Sequence, residues 1–248
     1  MLIIGHRGAR NLWPENSLSG FRRTLALGVD AIELDVQCAS DGTLVVIHDP
    51  ALERTTLGHG PVGMKSAAEL GATPLRDAPG DHVPTLDEVL DVLRDGPPEL
   101  HLEIKADHVG RVDDRLITGL IDAIARHRLG DRAIVTCFVP TVLARVRARS
   151  PQTRLLASID RRTAETYGGT EATLDRFTAL PGCLIAVEKT LLRDILPICL
   201  ERIGGDRLGA WVANDPEDID YWMRQPIRQI TTDRPDLALA ARRVLGDG

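Results

Sequence analysis

Aromatic residues are scarce in this chain of 248 residues, at 3%, and several features that mark particular protein classes are missing. Basic residues are interleaved with a larger number of acidic ones, for a net charge of −6, so no basic patch predicts a nucleic-acid partner. No uninterrupted apolar run approaches the roughly 20 residues that a membrane-spanning helix needs. The chain starts in a strand-like run, without the basic and apolar regions of a secretory signal. We therefore expect a cytoplasmic protein with no stable membrane insertion.

Cysteines are also few, and the four of them, at positions 38, 137, 183 and 199, include no CxxC pair. Their spacings fit neither a zinc site nor a disulfide framework. Each lies in an apolar segment, which predicts buried free thiols and a reducing compartment. Nothing in the sequence indicates an oligomeric state.

Short strand-like runs alternate with amphipathic helical stretches along the whole chain. Strands are predicted near residues 2–5, 31–36, 100–104, 133–138, 154–159, 184–188, 208–213 and 228–232. Helices are predicted at 16–27, 85–94, 112–127, 140–149, 163–177, 191–202, 216–223 and 235–245. Such alternation predicts a parallel sheet, and eight units in about 250 residues are typical of a TIM barrel. We therefore expect an α/β fold, a (β/α)8 barrel built as a single domain from residues 1–248.

One further strand, at 44–48, does not fit this count. The linker before it is too short for the crossover helix that a parallel pair needs, and Asp-Gly at 41–42 favours a hairpin. With a two-residue loop there, Asp35 would face His48.

Residues 51–84 are rich in glycine and proline and show little periodicity. We expect them to form a small insertion after the hairpin, over the catalytic end of the barrel. Thr85, with Glu88 three residues later, predicts a capping box at the start of the next helix.

Ionisable groups end several of the strand-like runs near the start of the chain. Because strand side chains alternate between faces, Glu33 and Asp35 share one face, and Glu103 and Lys105 share another. Three converging carboxylates would repel one another unless a hard cation lay between them. A solvated strand face is the alternative, but the strands are otherwise apolar and an unpaired carboxylate inside a barrel is costly. Glu33, Asp35 and Glu103 are therefore predicted ligands of Mg²⁺, Ca²⁺ or Mn²⁺.

Two histidines follow apolar runs into the same predicted site. His6 comes after the first strand and His48 after the hairpin strand. Imidazole titrates near neutrality and can give or take a proton, as cleavage of a phosphate ester beside a divalent ion requires. His6 and His48 are thus the predicted acid–base pair, without an individual assignment.

These motifs resemble those of the glycerophosphodiester phosphodiesterase family. The matching stretches are His6-Arg7-Gly8, Pro14-Glu15-Asn16-Ser17, Glu33-Leu34-Asp35, Asp41-Gly42 through His48-Asp49, Pro84-Thr85-Leu86, Glu103-Ile104-Lys105 and Thr232 to Asp236, with a weaker match from Trp211 to Asp215. They cover most of the chain in order and spacing. The resemblance implies metal-dependent hydrolysis of glycerophosphodiesters to sn-glycerol 3-phosphate and an alcohol, with the two histidines as general acid and base.

Arg7 and Lys105 are predicted to bind the substrate phosphate. The planar guanidinium of Arg7 can hold two phosphate oxygens, and its alternative is an ion pair with Glu15 or Asp35. Lys105 faces the same site as Glu103, and its alternative is an exposed position at a strand end. Glu15 resembles a loop glutamate of the family, for which orienting Arg7 is as plausible as metal binding.

Trp211 and Asn16 are further predicted substrate contacts. Trp211 and Phe138 end late strands and are candidate walls for the glycerol or alcohol moiety, with core packing as the alternative for Phe138. Asn16 lies in the first βα loop and could instead cap the following helix. Asp233 is predicted to cap the last helix, a structural position.

Two other functions are compatible with these residues. One is a phospholipid-cleaving enzyme of the same barrel, of the lysophospholipase D or sphingomyelinase D type, although no basic amphipathic helix or exposed aromatic loop supports membrane docking. The other is a barrel that binds a phosphorylated metabolite without catalysis, against which the full set of histidines and carboxylates argues.

Overall fold

A computed structural model of the chain describes residues 1–96, 99–108 and 111–246. Eight parallel strands close into a barrel, and one more strand pairs antiparallel outside it. The strands are β1 (Leu2–Gly5), β2 (Ala31–Cys38), β3 (Leu44–Val46), β4 (Glu99–Ile104), β5 (Ala133–Cys137), β6 (Arg154–Ile159), β7 (Leu184–Glu188), β8 (Leu208–Trp211) and β9 (Gln229–Thr232). β1 pairs with both β9 and β2, which closes the barrel, and β2 pairs with β4 past the intervening β3. The predicted α/β TIM barrel is confirmed.

Helices connect the strands and cover the outside of the barrel. They are α1 (Leu18–Leu27), α2 (Ala67–Gly71), α3 (Leu86–Val92), α4 (Asp114–Arg126), α5 (Pro140–Arg149), α6 (Arg161–Thr166), α7 (Thr170–Thr178), α8 (Lys189–Ile203), α9 (Pro216–Met223) and α10 (Pro235–Gly246). In α4, buried Leu116, Leu120 and Ala123 recur at helical spacing, so one face of the helix packs against the core. Among the helices of the described residues, none combines the length and apolarity needed to cross a bilayer.

Successive side chains of each strand point to opposite faces of the barrel wall, and the two faces have different surroundings. On β4, Leu100, Leu102 and Ile104 belong to the large core between the strands and the helices. His101 and Glu103, on the opposite face, line a cavity inside the barrel. Polar side chains inside a barrel are expensive unless they are paired or bind something. The interior positions of β4 therefore mark a functional site.

The hairpin register differs by one residue from the prediction. β3 ends at Val46, which pairs with Val36. Asp35 therefore lies opposite Ile47 and not opposite His48, and the backbone N–H of Ile47 donates to the Asp35 carbonyl at 3.0 Å. The loop has three residues instead of two, because the N–H of Ala39 donates to the carbonyl of Thr43 at 2.9 Å. Gly42 at its end has φ +90°, a conformation that favours glycine. His48 thus lies just beyond the strand instead of in it.

Residues 51–84 contain one short α-helix, α2, one 3-10 turn at Val62–Met64, and part of a small apolar core that they share with the hairpin. That core consists of Ala39, Val45, Ile47, Leu52, Val62, Leu70, Leu75, Ala78 and Val83. The predicted capping box follows it, since Thr85 accepts from the N–H of Glu88 and the Glu88 carboxylate accepts from the N–H of Thr85. Packing of the segment against β3 fixes its position near the end of the barrel.

The predicted helix 163–177 is wrong as one element, because the structure divides it into α6 and α7. Gly168 and Gly169, with φ +91° and +106°, separate the two helices. These φ values lie outside the right-handed helical region, and glycine adopts them without a side-chain clash. The last predicted strand before β9 is also shorter than 208–213, since β8 ends at Trp211.

Candidate active site

A cavity of about 660 Å³ opens at the carboxyl end of the barrel strands. Seven of the nine predicted site residues line it, namely His6, Arg7, Glu33, His48, Glu103, Lys105 and Trp211. The other two, Asp35 and Asn16, are buried beside them and hydrogen-bonded to each other. The structure therefore brings together the side chains that the sequence motifs singled out.

Glu33, Asp35 and Glu103 form a compact carboxylate cluster. One oxygen from each lies within 4.8 Å of the others, and all three side chains are buried. The strand register explains the convergence, because Asp35 and Glu103 are direct partners across β2 and β4. Glu33 lies two residues before Asp35 and so projects from the same face. Three adjacent carboxyl groups thus face the barrel interior.

Burial and mutual repulsion set the protonation of this cluster. Burial, together with the charges of Asp35 and Glu103, raises the pKa of Glu33 well above its ordinary value. Burial also opposes ionisation of Asp35, but Lys105 and Arg7 outweigh it and hold the pKa of Asp35 below its ordinary value. The positively charged side chains around the cluster therefore neutralise only part of its negative charge.

The donor set fits a hard divalent cation. Glu33 Oε1 is buried and accepts no hydrogen bond from the described residues. Asp35 Oδ1 has the Lys105 ammonium at 3.1 Å as its neighbour. A buried carboxylate oxygen that accepts no hydrogen bond is energetically costly. Mg²⁺, Ca²⁺ and Mn²⁺ prefer ligand sets made only of oxygen atoms. A cation between the three carboxylates would remove this cost.

Arg7 and Asn16 hold the cluster from the side of the first βα loop. The N–H of Arg7 donates to Glu33 at 3.0 Å, and its guanidinium lies 3.3 Å from Asp35 and 3.2 Å from Glu15. Asn16 donates to Asp35 at 2.7 Å, while Ser17 caps α1, so the alternative prediction of Asn16 as the cap is wrong. Arg7 and Asn16 have φ of 50° and 55°, uncommon for such residues. Their strained backbones serve to aim both side chains at Asp35.

His6 is held by a residue from the opposite end of the chain. Its Nδ1 lies 2.6 Å from Asp233, which also accepts from Asn214 at 2.7 Å and from Arg10 at 2.9 Å. Burial opposes ionisation of Asp233, but His6 and Arg10 outweigh it and lower its pKa to about 2. An ionised carboxylate can only accept, so Nδ1 of His6 carries the proton and Nε2 is directed away from Asp233. The expectation that Asp233 caps the last helix is replaced by this contact.

His48 has a similar partner in its own neighbour. Its Nδ1 lies 2.6 Å from Asp49, whose pKa is lowered to about 2, since hydrogen bonds from Arg54 and His48 outweigh its burial. Nδ1 of His48 therefore donates, which makes Nε2 the ring nitrogen without a proton in the neutral form. Burial lowers the pKa of His48 itself, which favours the neutral ring. Buried Gln37 fixes the segment, because its amide donates to the carbonyls of Ile47, His48 and Asp49.

Comparison with known proteins identifies the family. A family model described as "Glycerophosphoryl diester phosphodiesterase family" matches residues 6–237. The chain belongs to this family. A glycerophosphodiester phosphodiesterase of Caldanaerobacter subterraneus subsp. tengcongensis is 29% identical over 242 residues, 95% of each chain. The resemblance predicted from the sequence motifs is confirmed, and with it the class of enzyme, a phosphoric diester hydrolase.

Solved structures show the same barrel. A putative glycerophosphoryl diester phosphodiesterase from Agrobacterium tumefaciens superposes with a TM-score of 0.91 at 24% identity, covering 100% of this chain and 99% of that one. An Oleispira antarctica phosphodiesterase, in complex with its product sn-glycerol-3-phosphate, superposes with a TM-score of 0.86 at 21% identity, covering 98% and 97%. At these identities the two structures establish the fold that this family member shares with them.

An aromatic wall stands beside the carboxylate cluster. Trp211 and Phe138 meet edge to face with ring centroids 5.5 Å apart, and the Trp211 indole donates to the carbonyl of Ala186 at 3.0 Å. The Lys105 ammonium lies 6.0 Å from the Phe138 ring centroid and 2.5 Å from Glu103. This family member thus places an apolar surface next to the charged groups, where a carbon-rich part of a substrate can pack.

Four residues of the site were missed by sequence reasoning or given another role. Gln37 and Arg10 carried no signal that separates them from ordinary polar residues. Asn214 lay in a weak family match but was given no role, and Asp233 looked like a helix cap. Asp233 lies in a stretch that resembles the family, Thr232 to Asp236, and Asn214 lies in the weaker match from Trp211 to Asp215. Their contacts join segments distant in sequence, which periodicity and local motifs do not report.

Proposed function

We propose that this chain hydrolyses glycerophosphodiesters to sn-glycerol 3-phosphate and an alcohol with the help of a divalent cation. The observation that carries the proposal is the cluster of Glu33, Asp35 and Glu103, with ligand oxygens within 4.8 Å of one another, in a cavity that both His6 and His48 also line. Family membership and the Caldanaerobacter relative support the substrate class.

The proposed cation site consists of the three carboxylates. Mg²⁺, Mn²⁺ or Ca²⁺ held there would polarise the phosphoryl oxygens as a Lewis acid. Asn16 acts on this site indirectly, by donating to Asp35 and fixing the direction of its carboxylate. That contact favours an orienting role for Asn16 over the substrate contact predicted from the sequence.

The phosphate is proposed to bind between Arg7 and Lys105. Both side chains line the cavity and both are attracted to Asp35, at 3.3 and 3.1 Å, so they are held close to the carboxylates. Their positive charges complement the charge that develops on the phosphoryl oxygens during displacement. Trp211 supplies an apolar surface for the carbon skeleton of the glycerol or the alcohol.

Proton transfer is proposed to pass through the two histidines. Each has Nδ1 hydrogen-bonded to an ionised aspartate, His6 to Asp233 and His48 to Asp49. Each therefore offers Nε2 to the cavity, where a neutral ring takes a proton from the nucleophile and a protonated ring gives one to the leaving oxygen. Water is one candidate nucleophile, and the neighbouring glycerol hydroxyl, through a cyclic phosphate, is the other.

The rest of the chain is proposed to serve this one site. The family match from 6 to 237 supports a single catalytic domain over residues 1–248, with 51–84 as its insertion. All four cysteines are free thiols, three of them buried, which supports a reducing, cytoplasmic location.

A coupled assay for glycerol 3-phosphate tests the proposal. Purified protein would be given a panel of glycerophosphodiesters with choline, ethanolamine, glycerol and inositol head groups, with and without EDTA. Metal-dependent release of glycerol 3-phosphate from at least one of them is expected. Release of choline from lysophosphatidylcholine, faster than from glycerophosphocholine, would instead show a phospholipid-cleaving enzyme. Binding of the diesters without turnover under any divalent metal would show a non-catalytic barrel.

A further inference from the structure

Arg54, in the segment 51–84, contacts two carboxylates, Glu15 and Asp49, that lie just outside the cavity of the candidate active site. Its guanidinium donates to Glu15 through Nη1 at 2.9 Å and through Nη2 at 2.8 Å. It also donates to Asp49 through Nε at 2.5 Å and through Nη2 at 3.0 Å. A single planar group thus makes two bidentate contacts, with the first βα loop and with the segment after β3.

The two carboxylates that Arg54 holds are each bonded to a proposed functional side chain. Asp49 is 2.6 Å from His48 Nδ1, and Glu15 is 3.2 Å from the Arg7 guanidinium. Arg7 in turn lies 3.3 Å from Asp35. The contacts therefore form one continuous chain that leads from the proposed acid–base residue His48, through Arg54, to the carboxylate cluster.

Without Arg54, two negatively charged carboxylates would lie next to each other in this series of contacts. Glu15 and Asp49 both accept from the same nitrogen, Nη2, so their carboxylates face each other across the guanidinium. Arg54 lowers the pKa of both carboxyls against the opposing effect of burial, and both are therefore ionised near neutrality. Two like charges left at this separation would move apart and would carry His48 and Arg7 with them.

The contribution of Arg54 to stability is expected to be small. Its side chain is 46% exposed, and ion pairs with this exposure are largely screened by water. A fixed guanidinium fork instead restricts geometry, which matters for a group that must lie within hydrogen-bond reach of a reacting atom. The contacts thus favour an effect on catalysis over an effect on folding.

We propose that Arg54 is a positioning residue, through which the segment 51–84 holds the His48 ring and the Arg7 guanidinium in register with each other. The inference rests on the proposed phosphodiesterase function for its kinetic consequences. Its structural consequence, the fixed Nδ1–H tautomer of His48, does not depend on that function.

Arg54→Gln is the direct test, with Arg76→Gln as the matched control. Arg76 lies in the same segment and donates through Nε to the backbone carbonyl of Glu53, and among the described residues it makes no ion pair with Glu15 or Asp49. Arg54→Gln should lower kcat by about 10- to 100-fold, the usual effect of an outer-sphere partner, with little change in Tm or in affinity for Mn²⁺. Arg54→Lys should recover only part of the loss, because an ammonium lacks the fork. Arg76→Gln should match the parent.

A double-mutant comparison separates positioning from a general structural effect. In a His48→Ala background, measured with an activated diester, Arg54→Gln should cost several-fold less than in the parent, since one of the groups that it positions is already gone. A loss of the same size in both backgrounds would overturn the proposal. So would an Arg54→Gln variant with the kcat of the parent.

Long-range ¹H–¹⁵N spectra of the histidine rings give a readout that needs no activity. The His48 signals, assigned from their loss in His48→Ala, should show the Nδ1–H tautomer in the parent and in Arg76→Gln. They should move toward a mixture of tautomers in Arg54→Gln, while the His6 signals stay unchanged. An unchanged His48 tautomer would overturn the proposal. A shifted tautomer in a protein that hydrolyses no glycerophosphodiester would support the positioning role and refute the proposed function.

Discussion

His6 and Asp233 are 227 positions apart in the chain, yet His6 Nδ1 lies 2.6 Å from Asp233 Oδ1. Closure of the barrel produces this contact, because β1 and β9 are neighbours and both side chains follow the ends of these strands. Asn214 and Arg10 also donate to Asp233, so the carboxylate is held from several directions. Barrel closure and the orientation of a proposed proton-transfer residue are thus linked.

Asp233→Asn should lower kcat by about 10- to 100-fold, because the amide can present its NH₂ to His6 and stabilise the wrong tautomer. KM should change less, since Asp233 is not in the cavity lining. Asp236→Asn is the matched control, as Asp236 lies in the first turn of the following helix and pairs with half-buried Arg234. Steady-state kinetics on the best diester of the panel compare the two variants. Equal activity of both would show that the His6–Asp233 contact is only structural.

Chelation should abolish turnover, and Mg²⁺, Mn²⁺ or Ca²⁺ should restore it. Glu103→Gln keeps the shape of the side chain but removes one of the three proposed ligand charges. We expect at least the roughly 10- to 100-fold loss of metal affinity that outer-sphere partners cause, and a large loss of activity. Titration of the EDTA-treated proteins with Mn²⁺ measures the affinity. Full activity of the metal-free parent would refute the cation site.

Stability of the metal-free protein should depend on Glu33 in a pH-dependent manner. Burial raises the pKa of Glu33 in the folded state, so between the unfolded value near 4.3 and the raised value the folded state binds more protons. Stability therefore falls as the pH rises through this window. Glu33→Gln removes this dependence and should raise Tm near neutrality, by about 2–4 °C for each 1 kcal/mol gained in a domain of this size.

Thermal melts in EDTA at about pH 5 and about pH 8 measure this difference. The gain of Glu33→Gln over the parent should be larger at the higher pH, and added Mg²⁺ should stabilise the parent more than the variant. An equal gain at both pH values would show that ionisation of Glu33 is not the cause. Glu53→Gln, at an exposed position of the segment 51–84, controls for the loss of one negative charge.

Sequence reasoning succeeded where a site depends on strand geometry. Glu33, Asp35 and Glu103 could be grouped because side chains alternate along strands and parallel strands end at the same rim of a barrel. Lys105 followed from its spacing to Glu103. For these residues, local periodicity and the order of the elements contain the needed information.

Contacts between distant segments were not predictable in the same way. The role of Asp233 depends on closure of β9 against β1, and Arg54 reaches Glu15 only because of how the segment 51–84 packs on the hairpin. The hairpin register was missed because an Asp-Gly pair is compatible with loops of two and of three residues. A one-residue difference in the loop then decides whether His48 lies in the strand or beyond it.

The division of labour between His6 and His48 can be resolved with leaving groups of different basicity. His6→Ala and His48→Ala should each lower turnover of a natural glycerophosphodiester by about 10²- to 10⁴-fold, the usual contribution of a positioned proton donor or acceptor. The two losses should not add if both rings serve one concerted displacement. The activity of the double variant shows directly whether the two losses add.

A p-nitrophenyl phosphodiester leaves without protonation, so it should rescue the variant that lacks the acid and not the one that lacks the base. Burial lowers the pKa of His48 and favours its neutral ring, which is the form that accepts a proton. We therefore expect His6→Ala to recover much of the parental rate with this substrate, while His48→Ala stays slow. Equal rescue of both variants, or of neither, would refute a separate acid and base. Rescue of His48→Ala alone would show that His48 is the acid and His6 the base.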